Sequence, residues 1–393
     1  MSQYHIYSIF LFKENYTIII MSDKNFDNLV ESQNILKGIY LYGFKEPSSI
    51  QIEGIKSINS SSDCILQSQS GTGKTATYLI GILNRLNSGY KCGLILTPTR
   101  ELAVQVYNVC HELVKFTEFK ANLCIGGTEI INYKSTNIII GTLGRINHMF
   151  NIKKINKNYI DIVVLDEADN LLSDGVNVDM QNFLNNLKQN IQIVFISATL
   201  SRNVFDLSDK LLNNPIKVLL KKTEIAVDLI SQFYVDVEIE DYKLDVLLDL
   251  YNMISTTQAI IFCNTIRKAS WLEEKLKDNN FPITTIHGKM SQQERNNIVD
   301  DFRKGDTRLL LTTDLLSRGI DIPQVNLVIN YDLPINKDTY IHRIGRCGRF
   351  GKKGVSITMV KMEDHYDVKL LNKMKTYFKI NIDEIPDNIA DYI

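Results

Sequence analysis

Short runs of β-branched and other apolar residues alternate with longer amphipathic stretches, and the whole alternation occurs twice in the chain. Residues 64–67, 93–97, 137–140, 161–165 and 192–196 make the first series. Residues 258–263, 283–286, 308–312, 327–330 and 355–360 make the second. Each run is almost continuously apolar, as a parallel strand covered on both faces must be. The stretches between them, of which 101–116 is the clearest, carry apolar residues at three- and four-residue intervals and predict helices. A repeated strand–helix–strand order gives a doubly wound parallel sheet. The chain is therefore α/β, with two tandem parallel sheets flanked by helices.

The rhythm pauses at LKKTEIAVD, just after Pro215. This predicts an N-terminal lobe over 22–219, a linker over 220–228 and a C-terminal lobe over 229–393. A length of 393 residues exceeds one ordinary core and agrees with two lobes. Residues 1–21 (MSQYHIYSIFLFKENYTIIIM) are apolar but broken by Lys13, Glu14 and Asn15, too short a run to span a bilayer. They lack the basic region and cleavage site of a secretory signal, and Met21 reads as the more natural beginning. An extension outside the folded core is expected there, with no membrane association.

The formal net charge is only -1, so any nucleic-acid site must be a local basic groove. Six cysteines (Cys64, Cys92, Cys110, Cys124, Cys263, Cys347) are scattered without a CxxC pair or a neighbouring His cluster. That spacing argues against zinc or disulfide frameworks, and most of them sit in apolar runs as core residues. A reducing, cytoplasmic setting is expected.

The chemistry gathers at the carboxyl ends of the strands, where open α/β sheets bind ligands. Ser70, Gly71, Thr72, Gly73, Lys74 and Thr75 follow the first strand and open a helix. Glycines let backbone N–H groups close around phosphates, and the helix N-terminus adds favourable partial charge. Lys74 is expected at the β- and γ-phosphates of a nucleoside triphosphate, and the Thr75 hydroxyl on Mg²⁺. Asp166, Glu167, Ala168 and Asp169 end the strand IDIVVL. Asp166 is expected to hold the metal opposite the phosphate loop, and Glu167 to activate the attacking water. Ser197 and Thr199, after the strand IQIVFI, are expected to hydrogen-bond Asp169 or the attacking water and tie nucleotide state to lobe position; an N-cap for the next helix is compatible with that.

These residues, in this order, resemble the DEAD-box RNA helicases, whose name is the tetrapeptide 166–169. The resemblance extends over about residues 26–393. Gly43, Phe44, Pro47, Ser48 and Gln51, with Phe26 upstream, are similar to the family's adenine-reading motif. Gln51 offers an acceptor and two donors to the adenine edge, and Phe44 an apolar contact. The segments Pro98–Leu102 (PTREL), Gly126-Gly127 and Thr142–Arg145 (TLGR) are similar to RNA-contacting segments. Phosphates would there meet backbone N–H groups at Gly127, the Thr142 hydroxyl and the Arg100 and Arg145 side chains.

In the second lobe the stretches 262–265 (FCNT), His287-Gly288 and Gln292 with Arg295 resemble the RNA-facing motifs. By resemblance, Asp321 would bind the ribose and Thr312 an RNA phosphate. In HRIGRCGR (342–349), arginines three residues apart can share a face and approach a γ-phosphate held by the other lobe. Arg346 and Arg349 are the expected arginine fingers. His342 and Arg343 are assigned to coupling, with Arg343 bracing the interface around the Asp166 loop. Within the family the chain is most similar to the eukaryotic translation initiation factor 4A group, through GIYLYGFKEPSSIQ, QAIIFCNT and the terminal IPDNIADYI.

The resemblance implies two RecA-like lobes, use of ATP and Mg²⁺, and sequence-independent RNA binding. It also implies local, non-processive unwinding by a monomer that a scaffold protein could hold. An ATP-dependent RNA clamp would use the same residues, whereas the adenine motif argues against a DNA-directed motor. Departures stand beside these matches. Leu143 replaces a Pro that should aim Arg145, and Cys347 replaces a Gly or Ser beside the fingers. Glu46 replaces a frequent Lys. The stretch between Gly127 and Gly141 is short, which predicts a trimmed helix.

Overall fold

The computed structural model describes residues 25–68, 71–173, 177–200, 202–219, 230–253, 258–314, 325–348 and 353–392. In the first lobe the strands are β1 (Cys64–Gln67), β2 (Cys92–Leu96), β3 (Ala121–Cys124), β4 (Ile138–Gly141), β5 (Ile160–Asp166), β6 (Gln192–Ser197) and β7 (Ile216–Val218). They form one sheet in the order β3-β4-β2-β5-β6-β1-β7. The second lobe holds β8 (Ile230–Asp236), β9 (Ala259–Phe262), β10 (Ile283–Ile286), β11 (Leu309–Thr312), β12 (Leu327–Asn330), β13 (Gly354–Val360) and β14 (Asp383–Glu384). Their order is β10-β11-β9-β12-β13-β8-β14, and the pairings in both sheets are parallel.

The reason lies in the strand composition. Along β5, Ile162 and Val164 join one core while Val163 and Leu165 join the other, so both faces of the strand are covered by helices. The same alternation holds in β9, with Ile260 and Phe262 in one core and Ala259 and Ile261 in the other. Burying each such side chain contributes about 1.5–3 kcal/mol. Both sheets are thus continuous apolar slabs whose carboxyl ends are left to polar loops.

The buried strands match their expected positions to within a residue or so. Four further strands, β3, β7, β8 and β14, fall outside the sequence expectation. Three of them run along or next to a sheet edge and are short or half-buried; β8 carries the mixed pattern ISQFYVD. No helix or strand lies between β3 and β4, as the short spacing predicts. Among the described residues no helix is long and apolar enough to cross a membrane. The expected extension and linker, 1–21 and 220–228, lie outside the described residues. All six cysteines are buried, and burial pushes the Cys64, Cys92 and Cys110 thiols up to about 12.

Candidate active site between the two lobes

The helix Lys74–Asn87 starts directly after Gly73, whose φ of 95° is a left-handed conformation that glycine adopts without strain. A Cβ there would stand 2.5 Å from Gln51 Nε2, so Gln51 packs directly on the phosphate loop. Gln51 also accepts a hydrogen bond from Ser48 N–H at 2.8 Å, closing a capping box on the helix Ser49–Asn59. The Ser48 hydroxyl donates to the Thr72 carbonyl at 2.8 Å. The expected adenine-reading segment and the phosphate loop are therefore one hydrogen-bonded unit. Phe44 is half-buried against Phe26 and Tyr42, with ring centroids 6.3 Å and 5.0 Å apart. Lys74 is buried and donates to the Ser68 carbonyl at 2.9 Å. Ser70 lies outside the described residues.

Asp166 ends β5 and is buried. Burial, with the adjacent Glu167 charge second, pushes its carboxyl well above the usual carboxylate range, and Lys74 opposes that shift. Glu167 is in the left-handed conformation (φ 52°, ψ 52°), which turns its side chain out of the strand, and its backbone N–H donates to Asp166 Oδ1 at 3.0 Å. Its Oε2 is buried with no hydrogen-bond partner among the described residues. Two adjacent buried carboxylates, one with an orphaned oxygen, beside Lys74 and the phosphate loop fit a divalent cation and a water to be deprotonated.

Sequence reasoning missed Tyr78, one turn into the helix after the loop. It reads as a core residue, and it is fully buried. Its hydroxyl, however, donates to Asp166 Oδ2 at 2.8 Å. The signal was the hydroxyl itself, since a buried Tyr needs a partner for it. Tyr78→Phe keeps the packing and removes a hydrogen bond to a buried carboxylate, which typically contributes about 1.5–3 kcal/mol. Urea unfolding is expected to show a loss of that size; an unchanged midpoint would mean that the contact contributes nothing to holding Asp166.

Asp169 is the hub between the lobes. Ser197 Oγ donates to its Oδ1 and Thr199 Oγ1 to its Oδ2, each at 2.7 Å. From the second lobe, His342 Nε2 lies 3.1 Å from Asp169 Oδ2 and 3.3 Å from Thr199 Oγ1. His342 Nδ1 is 3.8 Å from Glu167 Oε2, too far for a hydrogen bond. The helix Lys337–Ile344 thus sets its His342 end on the acidic loop of the first lobe. Arg346, buried just beyond that helix, donates from Nε to the His342 carbonyl at 3.2 Å. Arg349 and Asp321 lie outside the described residues.

Two expectations are corrected by this geometry. Arg343 does not brace the Asp166 loop. Its side chain is fully buried in its own lobe, donating to Asp314, Asn330, the Asp332 carbonyl and Asn264. A guanidinium with five donors is satisfied more completely by that nest of acceptors than at a shared interface. Thr312, expected at an RNA phosphate, is also fully buried, and its hydroxyl bonds the Ile286 and Thr313 carbonyls instead.

The remaining expected RNA residues line the strand ends. Arg100 opens its helix and lies against Gly126, where a Cβ would stand 2.7 Å from its Nη2. Arg145 donates to the Thr128 carbonyl at 2.6 Å. Leu143 takes the first helical position after the Thr142 cap and is buried in the core, so the turn keeps its shape without Pro. Thr142 makes no cap bond with its hydroxyl. Gly127 and Gly288 are exposed. Arg295 crosses the cleft and ion-pairs with Glu101, Nη1 to Oε1 at 2.5 Å, both side chains buried. The side chain of Gln292 lies outside the described residues. Cys347 is buried, with its thiol on the Ile344 carbonyl at 3.1 Å, and behaves as a small core residue.

A phosphate loop and paired carboxylates in one RecA-like lobe, met across a cleft by His342 of a second, define the core of a nucleotide-driven helicase. Family models match in the same places: DEAD/DEAH box helicase over residues 48–207 and helicase conserved C-terminal domain over residues 242–351. The chain belongs to the DEAD-box family of ATP-dependent RNA helicases and is an RNA-stimulated ATPase. It is 45% identical to the ATP-dependent RNA helicase eIF4A of Mycosarcoma maydis, over 94% of this chain and 91% of that protein. Its fold matches that of S. cerevisiae Dbp5 bound to RNA and ADP BeF3, with a TM-score of 0.88 and 38% identity over 94% of this chain and 97% of that one. Against a variant of Dbp5 bound to Nup159, a Gle1 variant, IP6 and ADP the TM-score is 0.62, at 34% identity over 92% and 96% of the two chains.

Proposed function

We propose that ATP and RNA each favour closure of the lobes 22–219 and 229–393 about the linker 220–228, and that closure completes the catalytic centre. The observation that carries this reading is the contact of His342 with Asp169 and Thr199 across the cleft. The buried Arg295–Glu101 pair is a second contact between the lobes, on the expected RNA side. Support also comes from the closer match to Dbp5 with RNA and ADP BeF3 than to the ADP-bound complex. In this reading the loop 70–75 and Lys74 hold the β- and γ-phosphates, while Gln51 and Phe44 hold adenine and Asp321 the ribose. Glu167 takes the proton of the attacking water, and Arg346 with Arg349 meets charge developing on the transferred phosphoryl group. Thr75 and Asp166 would hold Mg²⁺, which neutralises phosphate charge when bound.

Arg100, Gly127, Thr142, Arg145, Gly288 and Gln292 would grip the sugar–phosphate backbone, which gives little base preference. The ribose 2′-OH sets RNA apart from DNA. Because both ligands favour one closed state, each strengthens the other's binding. Similarity to an eIF4A supports local unwinding in translation initiation, by a cytoplasmic monomer that a scaffold protein holds near closure. Phosphate release with single-stranded RNA, with DNA of matched sequence and with neither is the direct test. RNA alone is expected to stimulate it. Equal rates in all three would remove the coupling.

A further inference from the structure

At the amino-terminal ends of β2, β4 and β5, away from the phosphate loop at the opposite end of the sheet, the first lobe carries a cavity of about 260 Å³. Its wall is the irregular stretch that joins β3 to β4, and that wall is pinned. Tyr133 is buried, with its hydroxyl on the Leu123 carbonyl at 3.2 Å and its N–H on the Lys154 carbonyl at 3.2 Å. Asn137 accepts from Lys120 N–H at 3.0 Å and donates to the Lys91 carbonyl at 3.3 Å. The cavity is therefore preformed. Ile155 and the Tyr133 ring supply apolar lining, while Lys91, Lys134 and Tyr159 stand exposed at its edge.

Charge distinguishes this end of the lobe. The chain as a whole is nearly neutral, at -1, yet Lys91, Lys120, Lys134, Lys153, Lys154 and Lys157 come from the loops here. Asp161, the neighbouring acid, is already held by Lys188 and by Lys91 N–H. The Lys91 ammonium lies 5.2 Å from the Tyr159 ring centroid, and Lys134 has no carboxylate partner among the described residues. Cations without a carboxylate partner among the described residues, beside an exposed aromatic ring and an apolar hollow, are the elements that hold a nucleotide, with its phosphate on ammonium groups and its base against rings. The volume is slightly below the roughly 300 Å³ at which ligand pockets begin, a size for one such unit.

We infer that this cavity is a second nucleotide-binding site, separate from the cleft, which takes one base and its phosphate from either a longer RNA strand or a free mononucleotide. An apolar hollow with a stacking ring favours a base over an acidic peptide, which would need cations alone.

The test uses the full chain and the double variant Lys91→Ala/Lys134→Ala, with Tyr159→Ala as a variant that leaves the charge intact. The probes are a short oligouridylate that spans only the cleft, one several times longer, and adenosine monophosphate. With the short strand, affinity and stimulated ATP hydrolysis are expected to be unchanged in every variant, which keeps this test apart from that of the cleft. With the long strand, the double variant is expected to bind about fivefold more weakly. The salt slope should fall by about 1.4, two single-strand phosphate contacts at about 0.7 each. Tyr159→Ala should weaken binding while leaving that slope intact. Alternatively, adenosine monophosphate shifts the Tyr159 resonance of fluorotyrosine-labelled protein, and the double variant abolishes the shift. That result assigns the site to free nucleotide. Long-strand affinity unchanged in all variants, together with no shift by the mononucleotide, overturns the proposal.

Discussion

Glu167→Gln is expected to bind ATP and RNA yet lose turnover by about 10²–10⁴-fold, the contribution of a positioned general base. The substitution is isosteric, so the left-handed turn that ends β5 is kept. What goes is the feature that suits the residue to base chemistry: a buried carboxylate oxygen with no hydrogen-bond partner among the described residues. Binding should survive for a second reason. The Glu167 charge is, after burial, what pushes the Asp166 carboxyl up, so its removal makes Asp166 easier to ionise and no worse as a cation ligand. Single-turnover phosphate release, read beside equilibrium binding of a non-hydrolysable ATP analogue and RNA, separates the steps. If RNA still stimulated release to the unsubstituted rate, Glu167 could not be the base. If analogue binding fell as far as turnover, the residue would be holding the nucleotide rather than acting on water.

What could be read in advance divides along a physical line. Strands buried on both faces announce themselves, because Ile162 to Leu165 have no polar alternative to the sheet interior. Strands at or beside the edges do not. β7 has three half-buried residues and β14 two exposed ones, and their place is set by the partner strand rather than by their own composition. The site divides in the same way. The phosphate loop and the acidic tetrapeptide are local, so spacing alone exposes them. Contacts that depend on how elements meet were misjudged or unseen. The Tyr78–Asp166 bond joins residues 88 positions apart, and the Arg295–Glu101 pair joins the two lobes. Arg343 shows the limit most plainly. Its neighbour in sequence, His342, reaches Asp169 across the cleft, but Arg343 lies on the inner side of a short helix and fills its own lobe.

Arg346→Ala is expected to lower RNA-stimulated hydrolysis by about 10³–10⁵-fold, the range for loss of an arginine finger, with only a modest loss of ATP affinity. His342 and Arg346 are four residues apart, and His342 is 3.1 Å from Asp169 of the first lobe, so a finger role for Arg346 needs it at that same cleft. Its Nε on the His342 carbonyl ties the guanidinium to the end of that helix. Lys at this position should not rescue, because an ammonium is a point charge without the planar fork that meets a phosphoryl group at two oxygens. Arg343→Ala provides the internal contrast. It removes the donors met by Asn330, Asn264 and the Asp332 carbonyl inside the second lobe, along with the pair to half-exposed Asp314, and should lower thermal stability. Equal losses of ATP binding and turnover in Arg346→Ala would mean that the side chain holds the ground state and is not recruited by closure.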